Sequence, residues 1–455
     1  MSELEFLVMA VTEWPTLVAL ETISAAVLFL SIRRAVVGGV FDPMVLVWVV
    51  GYSVNYAVVA LLFLDGKISA YLAFMVFGYG LLFVAVFRWS SRRPGTSALA
   101  ATVRTLTPKG IGASAFAAAV AIYLAISAYI IASIGFGIFA ETNRFDVGRG
   151  FGGYIRLLDF LSPFIVSYGT LAIFSNGKRS KLKIFLLFAF VVYAAMVNGA
   201  KISVIFSLFT VFFTLAIAAI RVRVRPVVAV AGLVAGLAFG VLALSINLDR
   251  NAVEQDAPTT DLAGAGLLVE KFVYRVIASG DTSYLLLPND VVDKIEKDST
   301  LARFLVPFLG TAGSRQLFGY PVEDYSVGRQ ALLYYDAAND VSGGPTSHFD
   351  LFSYVYFGPL GGCAFVACLA FILGAINRVI RRTRKTPFKP PNKFRIALLA
   401  TLWTRAVLVI IEPTVALAYI ADVFIFFTLL SMFLQLVLGS GGRRGRLTPP
   451  RLSVH

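Results

Sequence analysis

GPTSHFDLFSYVYFGPLGG, residues 344 to 362, is the stretch on which the fold turns, because within it a long polar loop becomes an apolar helix. It carries His348, the only histidine apart from the C-terminal residue. Imidazole titrates near neutrality, so a lone histidine at the mouth of an apolar helix is a candidate acid, base or hydrogen-bonding group. Its plainer reading is a helix-start residue that caps backbone groups. With no second histidine and no cysteine beside it, no metal site is expected there.

The helix that follows is one of many. A chain of 455 residues with 58% hydrophobic and 15% charged residues and a mean hydropathy of +0.80 is not a water-soluble domain. Lipid cannot satisfy backbone groups, so each apolar run of about 20 residues that crosses it must be helical. About eleven such runs are expected: 13 to 32, 43 to 64, 68 to 87, 113 to 138, 157 to 175, 183 to 198, 201 to 220, 226 to 247, 350 to 377, 394 to 412 and 415 to 439. The expected fold class is all-α, a polytopic membrane helix bundle. Residues 1–247 form an N-terminal bundle of eight spans, 248–349 a large loop with amphipathic helices, 350–439 three C-terminal spans and 440–455 a basic tail.

The net charge of +14 suggests nucleic acid only until its distribution is read. Basic residues crowd alternate loops: Arg33 and Arg34; Arg88, Arg92, Arg93, Arg104 and Lys109; Lys178, Arg179, Lys181 and Lys183; Arg221, Arg223 and Arg225; the run 378 to 395; and the tail arginines. That is the pattern of cytoplasmic loops, and no nucleic-acid partner is expected. The N-terminus, with Glu3, Glu5 and Glu13, then lies outside and the C-terminus inside. The first residues lack the basic start of a signal peptide, so the first span is expected to be retained. Cys363 and Cys368 both fall in the ninth span and imply no disulfide framework.

The outer side collects the candidate chemistry. ETNRFDVGRGFGGYIRLLDF (141 to 160) sets Arg144, Arg149 and Arg156 among glycines, a composition suited to phosphate oxygens and also to a merely solvated loop. Lys201, in the tight turn VNGAK, stands at a helix start where free N–H groups favour an anion; the alternative is a lysine snorkelling to headgroups. The loop of about 100 residues before Phe349 is far longer than ordinary connections. Helices are expected at 267 to 279 and 288 to 297, lying along the outer membrane surface, with FLVPFLG (304 to 310) dipping into it. Arg275, Arg315 and Arg329 are its cavity-facing candidates, with Asp281, Glu323, Asp324, Asp336, Asp340 and Asp350 the nearby acids.

Within the spans, Glu21 is either functional or a partner between helices. The last two spans hold Arg405, Glu412 and Asp422; reckoned from the tight outer turn near Pro413, Arg405 and Asp422 stand at similar depth on adjacent helices, so an ion pair is expected. Such a pair is structural or acts beneath the active site. No Asp-x-Asp pair, histidine cluster or phosphate-binding loop appears, which argues against metal-dependent nucleotide chemistry. A reaction outside the cell without a nucleotide needs an activated substrate resident in the membrane. A polyprenyl diphosphate-linked sugar is such a substrate, and arginine or lysine can stabilise its leaving group.

Taken together, SHFDLFSYVYFGPLGG (347 to 362), NGAKISVIFSLF (198 to 209), VYRVIASGDTSYLLLPN (273 to 289) and Arg329 placed fourteen positions before Gly343 resemble a bacterial oligosaccharide repeat-unit polymerase of the Wzy or O-antigen polymerase type. The resemblance implies a GT-C-like fold in the bacterial inner membrane with an active site facing the periplasm. It implies glycosyl transfer, without cofactor, between undecaprenyl diphosphate-linked donor and acceptor glycans. Arg275, Lys201 and Arg329 would hold diphosphate, His348 would orient or deprotonate the acceptor hydroxyl, and Asp336, Asp340 and Asp350 are equally eligible bases. A chain-length regulator and a flippase are the implied partners, beside membrane lipid. The alternatives are an O-antigen ligase or other polyprenyl-linked glycosyltransferase, and a transporter of lipid-linked sugars.

Overall fold

The structure, a computed structural model, describes residues 1–94, 98–108, 110–137, 150–175, 180–198, 202–220, 280–339, 343–389 and 392–442. Among these there is no strand. Seven helices are long and apolar enough to cross a membrane: α2 (Trp14–Ile32); Val45–Leu64, a π-helical turn running into α3 (Tyr52–Leu64); α4 (Ala70–Arg92); α6 (Gly112–Ile134); α7 (Gly152–Phe174); α13 (Phe349–Lys385); and α15 (Pro413–Gly442), apolar to Leu438. The chain is thus a polytopic helical membrane protein. The runs expected at 183–198 and 201–220 appear as the shorter α8 (Lys181–Asn198) and α9 (Ile202–Ile217). The run at 394–412 stops early, as α14 (Lys393–Ala406) and a 3-10 turn (Val407–Ile410), which leaves Ile411 and Glu412 in the turn before α15. The run at 226–247 lies outside the described residues. Two short helices, α1 (Glu3–Thr12) and α5 (Ala98–Leu106), were not expected.

The two ends of the bundle differ in charge as the loops require. Arg381 lies within electrostatic range of Arg92, Arg378 of Arg93, Arg395 of Arg104 and Lys393 of Lys183, so basic loops far apart in sequence meet at one end. The opposite end holds residues 280–339 and the N-terminus. There the Met1 amine donates to Tyr335 Oη at 2.6 Å and Phe6 stacks on Tyr284 with ring centroids 4.2 Å apart.

At the centre, α4 and α13 run parallel with small residues between them, the usual way membrane helices come close. Ser90 Oγ donates to the Phe371 carbonyl at 3.0 Å, and Asn377 Nδ2 donates to Ala35 O at 3.0 Å and Ser91 Oγ at 3.1 Å. Asp42 is fully buried and fully used: its carboxylate accepts from the amides of Val37, Gly38 and Met44 and from Trp403 Nε1 at 2.7 Å. A buried carboxylate survives only with such donors, and here they fix the turn between α2 and the next span.

FGP within the opening stretch proves to be a helix break. Gly358 adopts φ +68° and ψ −178°, a conformation essentially confined to glycine, and Tyr79 Oη donates to the freed carbonyls of Gly358 at 3.3 Å and Pro359 at 2.8 Å. The same break recurs at Gly310 (φ +71°, ψ 168°), three residues after Pro307 in α11 (Thr300–Phe318).

The loop departs from expectation. Instead of lying along the surface, α10 (Asp281–Leu286) and the 3-10 turn Pro288–Asp293 are packed into the bundle, with Thr282 through Pro288 buried. Ser283 Oγ donates to Asn55 Oδ1 of α3 at 2.6 Å, and a Cβ at Gly280 would press on Val58 at 2.8 Å. Tyr284, Leu285, Leu286, Leu287, Val291 and Val292 supply the buried apolar surface, and the buried hydroxyls among them are hydrogen-bonded, Thr282 to the Thr346 carbonyl and Ser283 to Asn55. The helix expected at 267–279 lies outside the described residues.

Candidate functional site

A cavity of about 850 Å³ opens at the end that carries residues 280–339 and reaches into the bundle. Its walls come from six places, one of them the segment entering α13, with Gly343, Ser347 and Phe352. α7 supplies Gly152, Gly153, Arg156, Asp159 and Ser162; α9 supplies Ser203, Ser207 and Thr210. α11 and the turn after it supply Arg303, Arg315, Glu323 and Asp324; α12 (Val327–Tyr335) supplies Arg329; α14 and α15 supply Thr404, Arg405, Thr414 and Tyr419, with Glu412 between them. Hydroxyls line the cavity beside the arginines: Ser203, Ser207, Thr210 and Thr404, the last two with their oxygens 3.4 Å apart.

Each arginine is held by an acid outside its own helix. Arg156 Nε is 2.6 Å from Asp422 Oδ2. Arg405 is 3.8 Å from Asp159, donates to the Asp159 carbonyl and lies over the Tyr419 ring at 5.1 Å, while Tyr419 Oη donates to Asp159 Oδ2 at 2.5 Å. The expected Arg405–Asp422 pair is therefore corrected. Both residues face α7, where Arg156 and Asp159, three apart on one helix face, take one partner each. Arg329 is anchored to Asn339 Oδ1 at 2.8 Å, to the Asn339 carbonyl and to Asp324 at 3.4 Å. Arg303 is buried and paired with Asp298 at 2.6 Å, whereas Arg315, half exposed, reaches the cavity from its pair with Glu323.

Of the expected site residues, Arg156, Arg315 and Arg329 are brought together here. Arg144, Arg149, Lys201, Arg275 and Asp340 lie outside the described residues. Three others stand apart from this cavity. Asp336 is exposed at the end of α12, where its carboxylate only caps the Ala338 amide, and it does not line the cavity. Asp350 is fully buried in the first turn of α13, accepting from its neighbour's amide at 2.8 Å, and does not line it either. His348 is buried with its ring 5.2 Å from that of Tyr52, away from the cavity lining. Burial holds its imidazole down to about 4, so it is neutral at neutral pH. Its side chain does not cap α13. What it contributes is backbone: at φ +49° its N–H donates to the Ile411 carbonyl at 2.8 Å.

That stitch presents the preceding residue to the cavity. The Ser347 N–H donates to Glu412 Oε1 at 2.7 Å, and its hydroxyl lies 3.2 and 3.1 Å from the two Glu412 oxygens. Two glycines make this crossing tight. A Cβ on Gly328 would overlap the Pro345 carbonyl, and one on Gly344 would come within 2.7 Å of the Arg329 nitrogen, so the segment leading to Ser347 lies directly on the start of α12. Asp159, Arg303 and Ser347 were missed in the sequence. Asp159 alone carried a signal, its three-residue spacing from Arg156.

Among the described residues no group of three or more His, Cys, Asp or Glu side chains is placed to hold a metal ion. No protein-family model, curated protein or solved structure matches the chain.

Proposed function

We propose that this chain is a membrane glycosyltransferase that polymerises undecaprenyl diphosphate-linked oligosaccharide repeat units at the periplasmic face of a bacterial inner membrane. The observation that carries the reading is the convergence of Arg156, Arg315, Arg329 and Arg405 from four elements on one cavity that runs from the loop-bearing end into an apolar bundle. Its volume falls within the range of pockets that enclose a small molecule or a headgroup. An amphiphile with an anionic head and an apolar tail suits that geometry.

In this reading the guanidinium groups hold the diphosphate and stabilise the charge that grows on it as the glycosidic bond to the lipid breaks. Their own partners keep them preorganised, so little reorganisation accompanies the reaction. The hydroxyls of Ser203, Ser207, Thr210 and Thr404 offer neutral partners to sugar hydroxyls.

The test is surface glycan length in cells whose only copy carries Arg315→Gln or Arg329→Lys at equal membrane abundance. Collapse of the polymer ladder to a single attached repeat unit supports polymerisation. Loss of all attached glycan with accumulation of lipid-linked polymer points to a ligase. An unchanged ladder in both variants overturns the reading and favours transport of the same lipid.

A further inference from the structure

We propose that Glu412 is the proton acceptor of the transfer reaction, an inference that rests on the glycosyltransferase reading above. The acceptor sugar hydroxyl attacks the anomeric carbon of the donor. A new carbon–oxygen bond forms there, the bond to the diphosphate oxygen breaks with its electron pair, and the hydroxyl proton passes to a Glu412 carboxylate oxygen and from there to water.

Four carboxylates line the cavity, and their partners separate them. Asp159 is committed to Arg405 and Tyr419, Glu323 to Arg315, and Asp324 to Arg329. A carboxylate beside a guanidinium is a weak base, because the cation stabilises its ionised form. Among the described residues Glu412 alone of the four has no basic side chain within ion-pair distance. Its partners are the amide and hydroxyl of Ser347, which orient both oxygens without neutralising them.

Its backbone is equally fixed. The Glu412 N–H donates to the Leu408 carbonyl at 2.8 Å, its carbonyl accepts from the Ala416 N–H at 3.0 Å, and the neighbouring Ile411 carbonyl accepts from His348. Glu412 is thus held to one position by two helix ends and the segment that crosses them, the preorganisation that a general base needs. Desolvation, working against the Ser347 hydrogen bonds, raises its carboxyl to about 7, close to the value that best serves a general base at neutral pH. Arg405, Thr414 and Tyr419 line the same wall, so an acceptor sugar beside Glu412 is also beside the residues that ring the donor's charge.

The experiment uses the full chain in membranes supplied with lipid-linked repeat unit, comparing wild type, Glu412→Gln, Glu412→Asp and Glu412→Ala. Glutamine keeps an oxygen to accept from Ser347, so the turn survives while the basic group is lost. The expected result is a fall in kcat of roughly 100-fold or more for Glu412→Gln with KM changed less than about threefold, partial activity in Glu412→Asp, and recovery of Glu412→Ala by added formate. If wild type polymerises and Glu412→Gln does so at a comparable rate, or if formate restores nothing in a folded Glu412→Ala, the proposal is overturned while the polymerase reading stands. If wild type elongates no lipid-linked unit, the polymerase reading itself fails, and the proton-acceptor role fails with it.

Discussion

Arg156 of α7 is paired with Asp422 of α15 at 2.6 Å, and Arg405 of α14 turns instead to Asp159, one helical turn further along α7. Helix α7 therefore binds both C-terminal helices through alternating charges at the cavity wall. Removing one member leaves the other ionised in a place where water cannot fully replace its partner, a change that costs on the order of 1–3 kcal/mol.

Asp422→Ala is accordingly expected to lower the thermal midpoint of the detergent-solubilised chain. The double exchange Arg156→Asp with Asp422→Arg is expected to recover a substantial part of it, measured as a double-mutant cycle. Recovery by Arg405→Asp with Asp422→Arg would instead indicate the pair that depth alone suggests. The exchange is not expected to restore glycan polymerisation, since Arg156 also faces the cavity.

Close approach of α4 and α13 gives a second prediction, at the other end of the bundle. A Cβ on Gly374 would stand 2.5 Å from Ser90 Cβ and 2.9 Å from the Phe87 carbonyl. Gly374→Ala is expected to destabilise by about 1–3 kcal/mol through overpacking. Adding Ser90→Gly should return only part of this, because the backbone contact with Phe87 persists. Full recovery would mean that the helices slide apart freely and are not locked in register. Thermal unfolding in one detergent measures both.

The membrane character and the parity of the loops were legible in the sequence because each is recorded residue by residue. Apolar runs mark the spans, and clusters such as Arg92–Arg93 and Arg381–Arg382 mark one face. Arg156, Arg315 and Arg329, picked out separately in the sequence, line one cavity. Pairing was not, since depth on two helices says nothing of a third that stands beside both, which is how Asp159 displaced Asp422 as the partner of Arg405. Nor was side-chain direction at the helix mouth. One positive φ at His348 turns the imidazole toward Tyr52 and gives the cavity Ser347, and no residue spacing encodes that choice.

Asp281 gives a pH-dependent prediction. It opens α10, accepts from the Thr282 amide at 2.8 Å, and is pushed up to about 7 chiefly by burial. The unfolded carboxyl titrates near its ordinary value, so between about pH 4 and pH 7 the folded chain holds a proton that the unfolded chain has lost. The resulting stability is fully present below the unfolded value and is lost as pH rises through about 7. Protection of the 280–293 segment against proteolysis is therefore expected to decline across that window in wild type. In Asp281→Asn the decline should flatten. An equally steep decline in the variant would assign the effect to another group.

His348 separates a backbone role from a chemical one. At φ +49° and ψ 147° it occupies a region where a side chain is strained by about 1–3 kcal/mol, and the crossing is maintained by its N–H on the Ile411 carbonyl. His348→Ala loses the ring packed on Tyr52 and keeps the strain. His348→Gly loses the ring and relieves it, while the N–H remains in both. The glycine variant is therefore expected to be the more stable and the more active of the two, because Ser347 stays in place against Glu412. If the imidazole itself took part in the chemistry, the two variants would be equally inactive at equal membrane abundance, and the Ser347–Glu412 geometry alone would not account for the site. Glycan ladder length and thermal midpoint, read side by side for the two substitutions, decide between these outcomes.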